Sequence, residues 1–106
     1  MISFEEFKRI ELKVAEIKEV NDHPSADKLY VLTIDLGNKT KQIVAGIKNF
    51  YKKEDLIGKQ IVVVDNLAPA VLRGVESQGM LLAASDNKEV VLITPERKIK
   101  PGSIVK

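Results

Sequence analysis

The apolar residues of this chain lie in short alternating runs, and this pattern restricts the possible folds more than any other feature of the sequence. The run from Leu29 to Leu36 ends at Gly37-Asn38, and Thr40–Ile47 supplies a partner run. Period-two alternation interrupted by Gly-Asn is typical of a β-hairpin. The run Gln60–Val64 is rich in β-branched residues and suits a strand buried on both faces. The sequence therefore predicts an all-β protein.

Short helices are predicted at two places. Ser3 and Glu6 fit a capping box before residues with helical apolar spacing, so a helix of about two turns is expected at the N-terminus. A second helical turn is expected within Lys48–Ile57, where Gly58 would end it. Five strands with a small helix between the third and the fourth are the layout of an OB-fold barrel. We therefore predict one domain over residues 1–106 with a five-stranded OB-fold.

Two further features of the strands are predicted. Leu12 and Val14 share one face, whereas Ala15 and Ile17 share the opposite face, which indicates a bulge in a bent first strand. The run from Ser77 to Ser85 is expected to form a single strand, and Glu89 to Ile93 another.

The composition excludes several classes of protein. The 106 residues include no cysteine and one histidine, so neither a disulfide framework nor a zinc site is expected. No apolar run approaches the roughly 20 residues that span a bilayer, and the acidic start lacks the basic residues of a leader. We therefore expect a cytoplasmic protein without a metal or cofactor. No nucleophile with its base is visible, so an enzyme is not expected.

The charge is distributed unevenly along the chain. The net charge of +2 is too small to indicate a nucleic-acid partner by itself. The segment Lys39–Lys59, however, contains six lysines and two acidic residues, whereas Met1–Ser25 has an excess of acidic residues. One side of the molecule is therefore expected to be basic. An ordinary solvated surface is the alternative explanation for this lysine spacing.

Two polar loops interrupt the apolar runs, and loops with unusual residue demands often carry function. In the first loop, His23-Pro24 indicates a rigid structural turn, and Lys28 begins a strand at the rim of the barrel, where it could meet a phosphate. In the second loop, Arg73 presents a planar, permanently charged fork to phosphate oxygens, and Gly74 allows a close backbone approach. Together the loops predict a polyanion-binding rim.

Several motifs follow one another in the order and spacing of a known family. They are His23-Pro24, Ala26 to Val31, Ile43 to Ile47, Leu56 to Lys59, Asn66-Leu67 with Pro69, and Arg73 to Met80. In these residues the chain resembles the tRNA-binding domain appended to methionyl-tRNA synthetases. The resemblance implies an OB-fold homodimer that binds the tRNA body by shape and has no chemistry of its own. It implies tRNA and the catalytic part of methionyl-tRNA synthetase as partners, and a raised tRNA affinity of that synthetase.

The resemblance also implies six residues that bind tRNA, and all of them except Ser77 have a structural alternative. Lys28 could pair instead with Asp27, and Arg73 with Glu76. Asn66 could form a turn, Lys41 could be an ordinary exposed lysine, and Met80 could pack in the core beside Leu82. The implied site is Lys28, Lys41, Asn66, Arg73, Ser77 and Met80.

One departure from the family pattern weakens the expected binding. Many relatives carry basic residues between Pro69 and Leu72, where this chain has Ala70-Val71. Up to two phosphate contacts on each protomer are therefore expected to be missing, and binding is expected to be weak and salt-sensitive. The same family includes chaperone-like secretion proteins, so a peptide-binding chaperone is the alternative function. An apolar groove at the rim would favour that alternative.

A homodimer is expected on separate grounds. The first helix has an apolar stripe, and the C-terminal extension adds apolar residues beyond those that one small barrel can cover. The extension is therefore expected to contribute to the dimer. Its apolar residues are Val91, Ile93, Ile99, Ile104 and Val105.

Overall fold

Short strands make up most of the structure, a computed structural model that describes all 106 residues. The two helices are single turns. In chain order the elements are α1 (Phe4–Phe7), β1 (Leu12–Asp22), β2 (Tyr30–Asp35), β3 (Thr40–Ala45), α2 (Lys53–Leu56), β4 (Gln60–Val64), β5 (Ala70–Leu72), β6 (Val75–Ser77), β7 (Met80–Leu81), β8 (Ala83–Ser85), β9 (Val90–Leu92) and β10 (Ile104–Val105).

The main sheet runs in the order β3-β2-β1-β4-β7, with all pairs antiparallel and β10 added to β1. The sheet nearly closes on itself, because Gln78 N–H donates to Gln42 O at 2.8 Å and Val44 N–H donates to Ser77 Oγ at 2.9 Å. A curled antiparallel sheet of this order, with a helix between its third and fourth strands, is an OB-fold. The prediction of an all-β OB-fold barrel is confirmed.

The core lies inside the curl of the sheet. Alternate residues of β2 are buried, and all five residues of β4 are buried, as their sequence pattern predicted. Leu56 of α2 is fully buried and covers one end of the barrel. The largest fully buried side chains are Ile17, Leu32, Ile34, Ile43, Leu56, Ile61 and Val63.

Both predicted helices are present, but α1 is shorter than expected. Ser3 and Glu6 form the predicted capping box. After Phe7 the backbone bonds become i→i−3, with Ile10 N–H donating to Phe7 O at 3.0 Å, so the helix tightens and ends after one turn. Gly58 has a φ of +86° directly after α2, which is the conformation that favours glycine there. Neither helix has the length or the apolar character needed to cross a membrane.

The irregularities of the strands differ in detail from the prediction. The bulge in β1 is present, but its register shift lies between Ile17 and Glu19, later than the sequence pattern indicated. The predicted strand from Ser77 to Ser85 is divided into the end of β6, then β7 and β8. A turn causes the first division, because Ser77 Oγ donates to Gly79 O at 2.9 Å. A side chain at Gly79 would also lie 3.0 Å from Val64 O, so the backbones are in close contact there.

The C-terminal segment lies against the turn between β2 and β3. Gly102 N–H donates to Val14 O at 2.7 Å, and β10 then pairs with β1. Gly37 and Gly102 face each other at this crossing, and both have positive φ. A Cβ at Gly102 would lie 2.3 Å from Leu36 O, and one at Gly37 would lie 2.5 Å from Pro101 O. Only glycine fits at either position.

Candidate nucleic-acid interface

The polar loop after β4 contains a projecting hairpin that the sequence did not reveal. Strands β5 and β6 pair antiparallel, with Leu72 opposite Val75. The two residues between them, Arg73 and Gly74, have φ of +51° and +89°. Positive φ at both central residues is the requirement of a type I′ turn, which matches the twist of two-residue hairpins. Arg73 is therefore displayed at the tip of an arm.

The tip of this arm is fastened to the loop between β1 and β2. The buried His23 ring connects them, since Nδ1 accepts from Ser25 N–H at 3.0 Å and Nε2 lies 2.9 Å from Leu72 O. The carbonyl can only accept, so the ring proton is on Nε2. Ser25 Oγ donates to Arg73 O at 3.3 Å, and Arg73 Nη2 donates to Ser25 O at 3.2 Å. His23 thus has the structural role that its sequence context indicated.

Lys28 and Arg73 lie together in a recess of about 410 Å³, which we call the Lys28–Arg73 recess. Both residues are exposed, and neither forms an ion pair, so the alternative pairs with Asp27 and Glu76 are not formed. Two cationic side chains without a carboxylate partner can accept an anion without first breaking an ion pair. The structure therefore brings together two of the six predicted residues.

Lys41 belongs to a different group of charges at the start of β3. Asp65 follows β4, its side chain is 3% exposed, and three ammonium groups converge on it. Lys13 Nζ donates to Oδ2 at 2.8 Å, and Lys39 Nζ lies 3.2 Å from the same oxygen. Lys41 Nζ lies 2.7 Å from Oδ1 in an ion pair, but it directs its hydrogen bond to Asp65 O, also at 2.7 Å. We call Asp65, Lys13, Lys39 and Lys41 the Asp65 cluster.

The charges of the Asp65 cluster shift the pKa values of Asp65 and Lys13. Burial of the carboxyl group would raise the pKa of Asp65, but the contacts with Lys13, Lys41 and Lys39 outweigh burial and hold this pKa well below its usual range. The hydrogen bond to Asp65 raises the pKa of Lys13. The Asp65 carboxylate is therefore ionised at neutral pH, and three lysines face this one carboxylate.

Asn66 lies beside the Asp65 cluster and holds the base of the loop. Its Oδ1 accepts from Glu11 N–H at 2.9 Å, and its Nδ2 donates to Arg9 O at 2.7 Å. Asp65 N–H also donates to Glu11 O at 2.8 Å. The residue is exposed, so one donor and one acceptor position of its amide remain open to a ligand.

Ser77 and Met80 occupy contrasting environments. Ser77 is buried, and its hydroxyl accepts from Val44 N–H and donates to Gly79 O. It therefore supports the base of the hairpin from inside. Met80 lies opposite Val64 and is 48% exposed, so the alternative of full burial in the core is not observed. Its thioether can pack on an apolar group from outside.

Four of the six predicted residues thus form two groups at opposite ends of β3 rather than one site. The Lys28–Arg73 recess lies where β2 begins, opposite Ala45, and Lys41 and Asn66 lie near the start of β3. The sequence prediction missed Lys13, Lys39 and Asp65. These residues are far apart in the sequence, so no local pattern connects them. The one available signal was the carboxylate of Asp65 directly after five buried residues.

The fold and this geometry define a class of protein, a small OB-fold barrel whose rim carries two groups of basic side chains. The comparison with known families agrees. The model of the family described as "Putative tRNA binding domain" matches residues 12–104.

Individual relatives support the same family. Methionine-tRNA ligase of Thermococcus kodakarensis is 51% identical over 105 residues, and that of Nanoarchaeum equitans is 50% identical over 106 residues. These matches cover 99% and 100% of this chain but only 14% of each relative, so the chain spans about one seventh of their length.

Solved structures of similar length share the whole fold. A MetRS-related protein from Pyrococcus horikoshii has a TM-score of 0.93 at 34% identity, covering 100% of this chain and 98% of that chain. The CsaA chaperone protein from Picrophilus torridus has a TM-score of 0.92 at 36% identity and full coverage of both chains. This chain belongs to the tRNA-binding domain family, and the resemblance to the domain of methionyl-tRNA synthetases is confirmed.

Proposed function

We propose that the chain is a non-catalytic module that binds the body of tRNA by its shape. The observation that carries this proposal is the placement of exposed basic groups at both ends of β3, on a member of the tRNA-binding domain family. Six residues at about 3.3 Å per step separate these ends by roughly 17 Å. Two cationic points at this separation suit a folded polyanion with regularly spaced phosphates better than a small ligand.

The proposed site retains all six predicted residues but assigns them different roles. Lys28 and Arg73 contact phosphates directly, and Lys41 does so from the Asp65 cluster. Asn66 uses its open amide positions, and Met80 packs against an unstacked base. Ser77 acts indirectly by holding the hairpin on β3, because its hydroxyl is already bonded on both sides.

In the context of methionyl-tRNA synthetase, the module raises tRNA affinity without contributing to the reaction. Attachment to the catalytic part makes the added phosphate contacts intramolecular, so they increase the effective concentration of tRNA at the active site. The proposed location is the cytoplasm, where aminoacylation takes place. Support comes from the methionine-tRNA ligases that match the whole length of this chain.

The direct test is tRNA binding measured as a function of salt. Fluorescence anisotropy with unacylated tRNA between 50 and 200 mM KCl should show binding that weakens steeply with salt. Arg73→Gln should flatten the slope of log K against log salt by about 0.7–0.9, because one phosphate contact is lost. Glutamine keeps the aliphatic stem as far as Cδ and meets the same positive φ, and the hydrogen bonds of the His23 ring and of Ser25 Oγ still hold the turn when the contact from Arg73 Nη2 to Ser25 O is lost.

Arg97→Gln is the matched control, since Arg97 is exposed and pairs only with the adjacent Glu96. This variant should keep the slope of the unmodified protein. Absence of tRNA binding at 50 mM KCl in the unmodified protein would refute the proposed function. Equal slopes for the two variants would remove Arg73 from the site.

We also propose that the module is a homodimer. A groove of about 530 Å³, which we call the apolar groove, has six apolar lining residues and four charged ones at its margin. The apolar residues are Phe4, Phe7, Ile10, Leu12, Ile104 and Val105, and the charged residues are Lys8, Glu11, Lys13 and Lys106. Phe4 and Ile104 project from it and are 70% and 71% exposed. An apolar groove beside apolar projections on the same surface is self-complementary under a twofold axis. Strand β10 also has an edge that is free to pair with its copy.

Light scattering during gel filtration at micromolar concentration tests the dimer. The unmodified protein should elute with about twice the monomer mass, and Ile104→Asp should elute as a monomer because the carboxylate would be buried in the interface. Val91→Asp is the control and should remain dimeric, because Val91 is exposed on β9 and does not line the apolar groove, although the sequence pattern had grouped it with Ile104. A monomeric unmodified protein would contradict this proposal.

The CsaA-like structures keep a peptide-binding chaperone as the second candidate function. The recess at the rim includes the charged side chains of Asp27, Lys28 and Arg73, whereas the apolar groove is formed by α1, the start of β1 and β10. A groove occupied by a second copy is not available to a peptide. A monomeric protein that binds unfolded polypeptide but not tRNA would therefore favour the chaperone.

A further inference from the structure

The Asp65 cluster carries more positive charge than its internal contacts use. One carboxylate faces three ammonium groups, and the only other nearby acid is Glu11, whose Oε1 lies 3.9 Å from Lys13 Nζ. Each ammonium group has three N–H donors. Lys13 and Lys41 each make one hydrogen bond within the cluster, so most of their donors remain available.

The lysines of the cluster are reachable from solvent although the carboxylate is not. The Lys39 side chain is 42% exposed, and those of Lys13 and Lys41 are about a quarter and a fifth exposed. The buried carboxylate therefore lies beneath a layer of ammonium groups that face outward. Ammonium groups held in place by ion pairs lose less side-chain entropy when a ligand arrives.

A polar recess adjoins this cluster and adds a fourth lysine. It measures about 410 Å³ and is lined by Lys13, Asn38, Lys100 and Ser103, together with backbone of the two glycine turns. Lys13 belongs both to the recess and to the Asp65 cluster. The recess contains no acidic side chain. It thus offers room for a tetrahedral anion next to the surplus charge.

We propose that Lys13, Lys39 and Lys41, positioned by Asp65, bind a phosphodiester group of an RNA backbone, with Lys100 beside them. This inference rests on the proposed function and gives it a second phosphate contact point, at the other end of β3 from the Lys28–Arg73 recess. Asp65 is a positioning residue, since it fixes the ammonium groups and does not itself touch the RNA. The phosphate supplies a second negative charge to a cluster that has only one carboxylate for three lysines.

The test is a comparison of Lys39→Gln with Lys88→Gln in the tRNA titration. Lys39 is the most exposed member, and its loss leaves Lys13 and Lys41 on Asp65, so the fold should be retained. Its affinity should fall roughly ten-fold at 50 mM KCl, and its salt slope should flatten by about 0.7–0.9. Lys88 is an exposed lysine in another turn, and its variant should match the unmodified protein. Lys39→Arg should restore both quantities.

The outcomes separate this inference from the proposed function. If the unmodified protein binds no tRNA, both the proposed function and this inference are refuted. If it binds and Arg73→Gln behaves as expected, but Lys39→Gln equals Lys88→Gln, only the phosphate site at the Asp65 cluster is refuted. Lysine ε-methylene NMR signals of Lys39 should shift with tRNA and stay unchanged with inorganic phosphate at the same phosphate concentration. Equal shifts would assign the cluster to small free anions and overturn the RNA assignment.

Discussion

Asp65→Asn is expected to lower the free energy of unfolding by about 2–4 kcal/mol. The substitution leaves three ammonium groups converging on a neutral amide, and breaking a buried ion pair by removing one partner costs about 3–5 kcal/mol. The lower range is expected here because the lysines are partly exposed and can turn into water. Equilibrium unfolding in urea at pH 7 measures the change.

Asp22→Asn is the matched control for this experiment. Asp22 also pairs with two lysines, Lys48 at 3.1 Å and Lys53 at 3.1 Å, but it lies in solvent. Its replacement should have a much smaller effect, since exposed ion pairs contribute little. Equal losses for the two variants would show that burial of the Asp65 carboxylate does not determine its contribution.

Repeating the Asp65 comparison at lower pH tests the same ion pairs. The pKa of Asp65 is lower in the folded protein than the value of about 3.9 in an unfolded chain, so its contribution is complete above that value and is lost as the pH falls through the folded pKa. At pH values below about 4, the urea concentration at the unfolding midpoint of the unmodified protein should therefore decrease. The decrease should be smaller for Asp65→Asn. Residual pH dependence is expected from Asp22 and Asp86, whose pKa values are lowered by hydrogen bonds.

Gly102→Ala is expected to destabilise the fold by about 2–4 kcal/mol. The added Cβ would lie 2.3 Å from Leu36 O, and a backbone oxygen cannot rotate away as a side chain can. The φ of +91° adds strain of about 1–2 kcal/mol for any residue with a Cβ. Relief requires the C-terminal segment to move off the turn between β2 and β3, which weakens the pairing of β10 with β1. Urea unfolding followed by circular dichroism measures the loss.

Gly58→Ala separates the two causes. Gly58 has a similar φ of +86°, but no atom lies within 4 Å of the position of its Cβ. Its replacement should cost only the strain of about 1–2 kcal/mol. If both variants lose the same stability, the close approach at Gly102 is not a constraint on the fold.

The barrel was predictable from the sequence because its signals are local. Period-two alternation in β2, the capping box of Ser3 and Glu6, and the β-branched run of β4 all depend on neighbouring residues. The hairpin of β5 and β6 was missed because its strands are three residues long and its turn has arginine at a position of positive φ. Arginine, unlike glycine, asparagine or aspartate, gives no turn signal at that position.

The two groups of basic residues differ in how far the sequence revealed them. Lys28 and Arg73 were found because each belongs to a recognisable loop, and the His23 ring brings these loops together. The Asp65 cluster assembles side chains from β1, from the start of β3 and from the end of β4. Such a group depends on the closure of the barrel, so no local pattern could predict it.

The anchoring of Asp65 and Asn66 has a consequence for the whole module. Asp65 is bonded to the backbone of Glu11, and Asn66 to the backbone of both Arg9 and Glu11. Residues 10–12 of the same stretch form one wall of the apolar groove. The base of the loop after β4 and the wall of the groove are therefore two sides of one piece of backbone. Immobilising that backbone from one side reduces the entropy that an event on the other side must still remove, so we expect the proposed subunit association and the proposed RNA binding to reinforce each other.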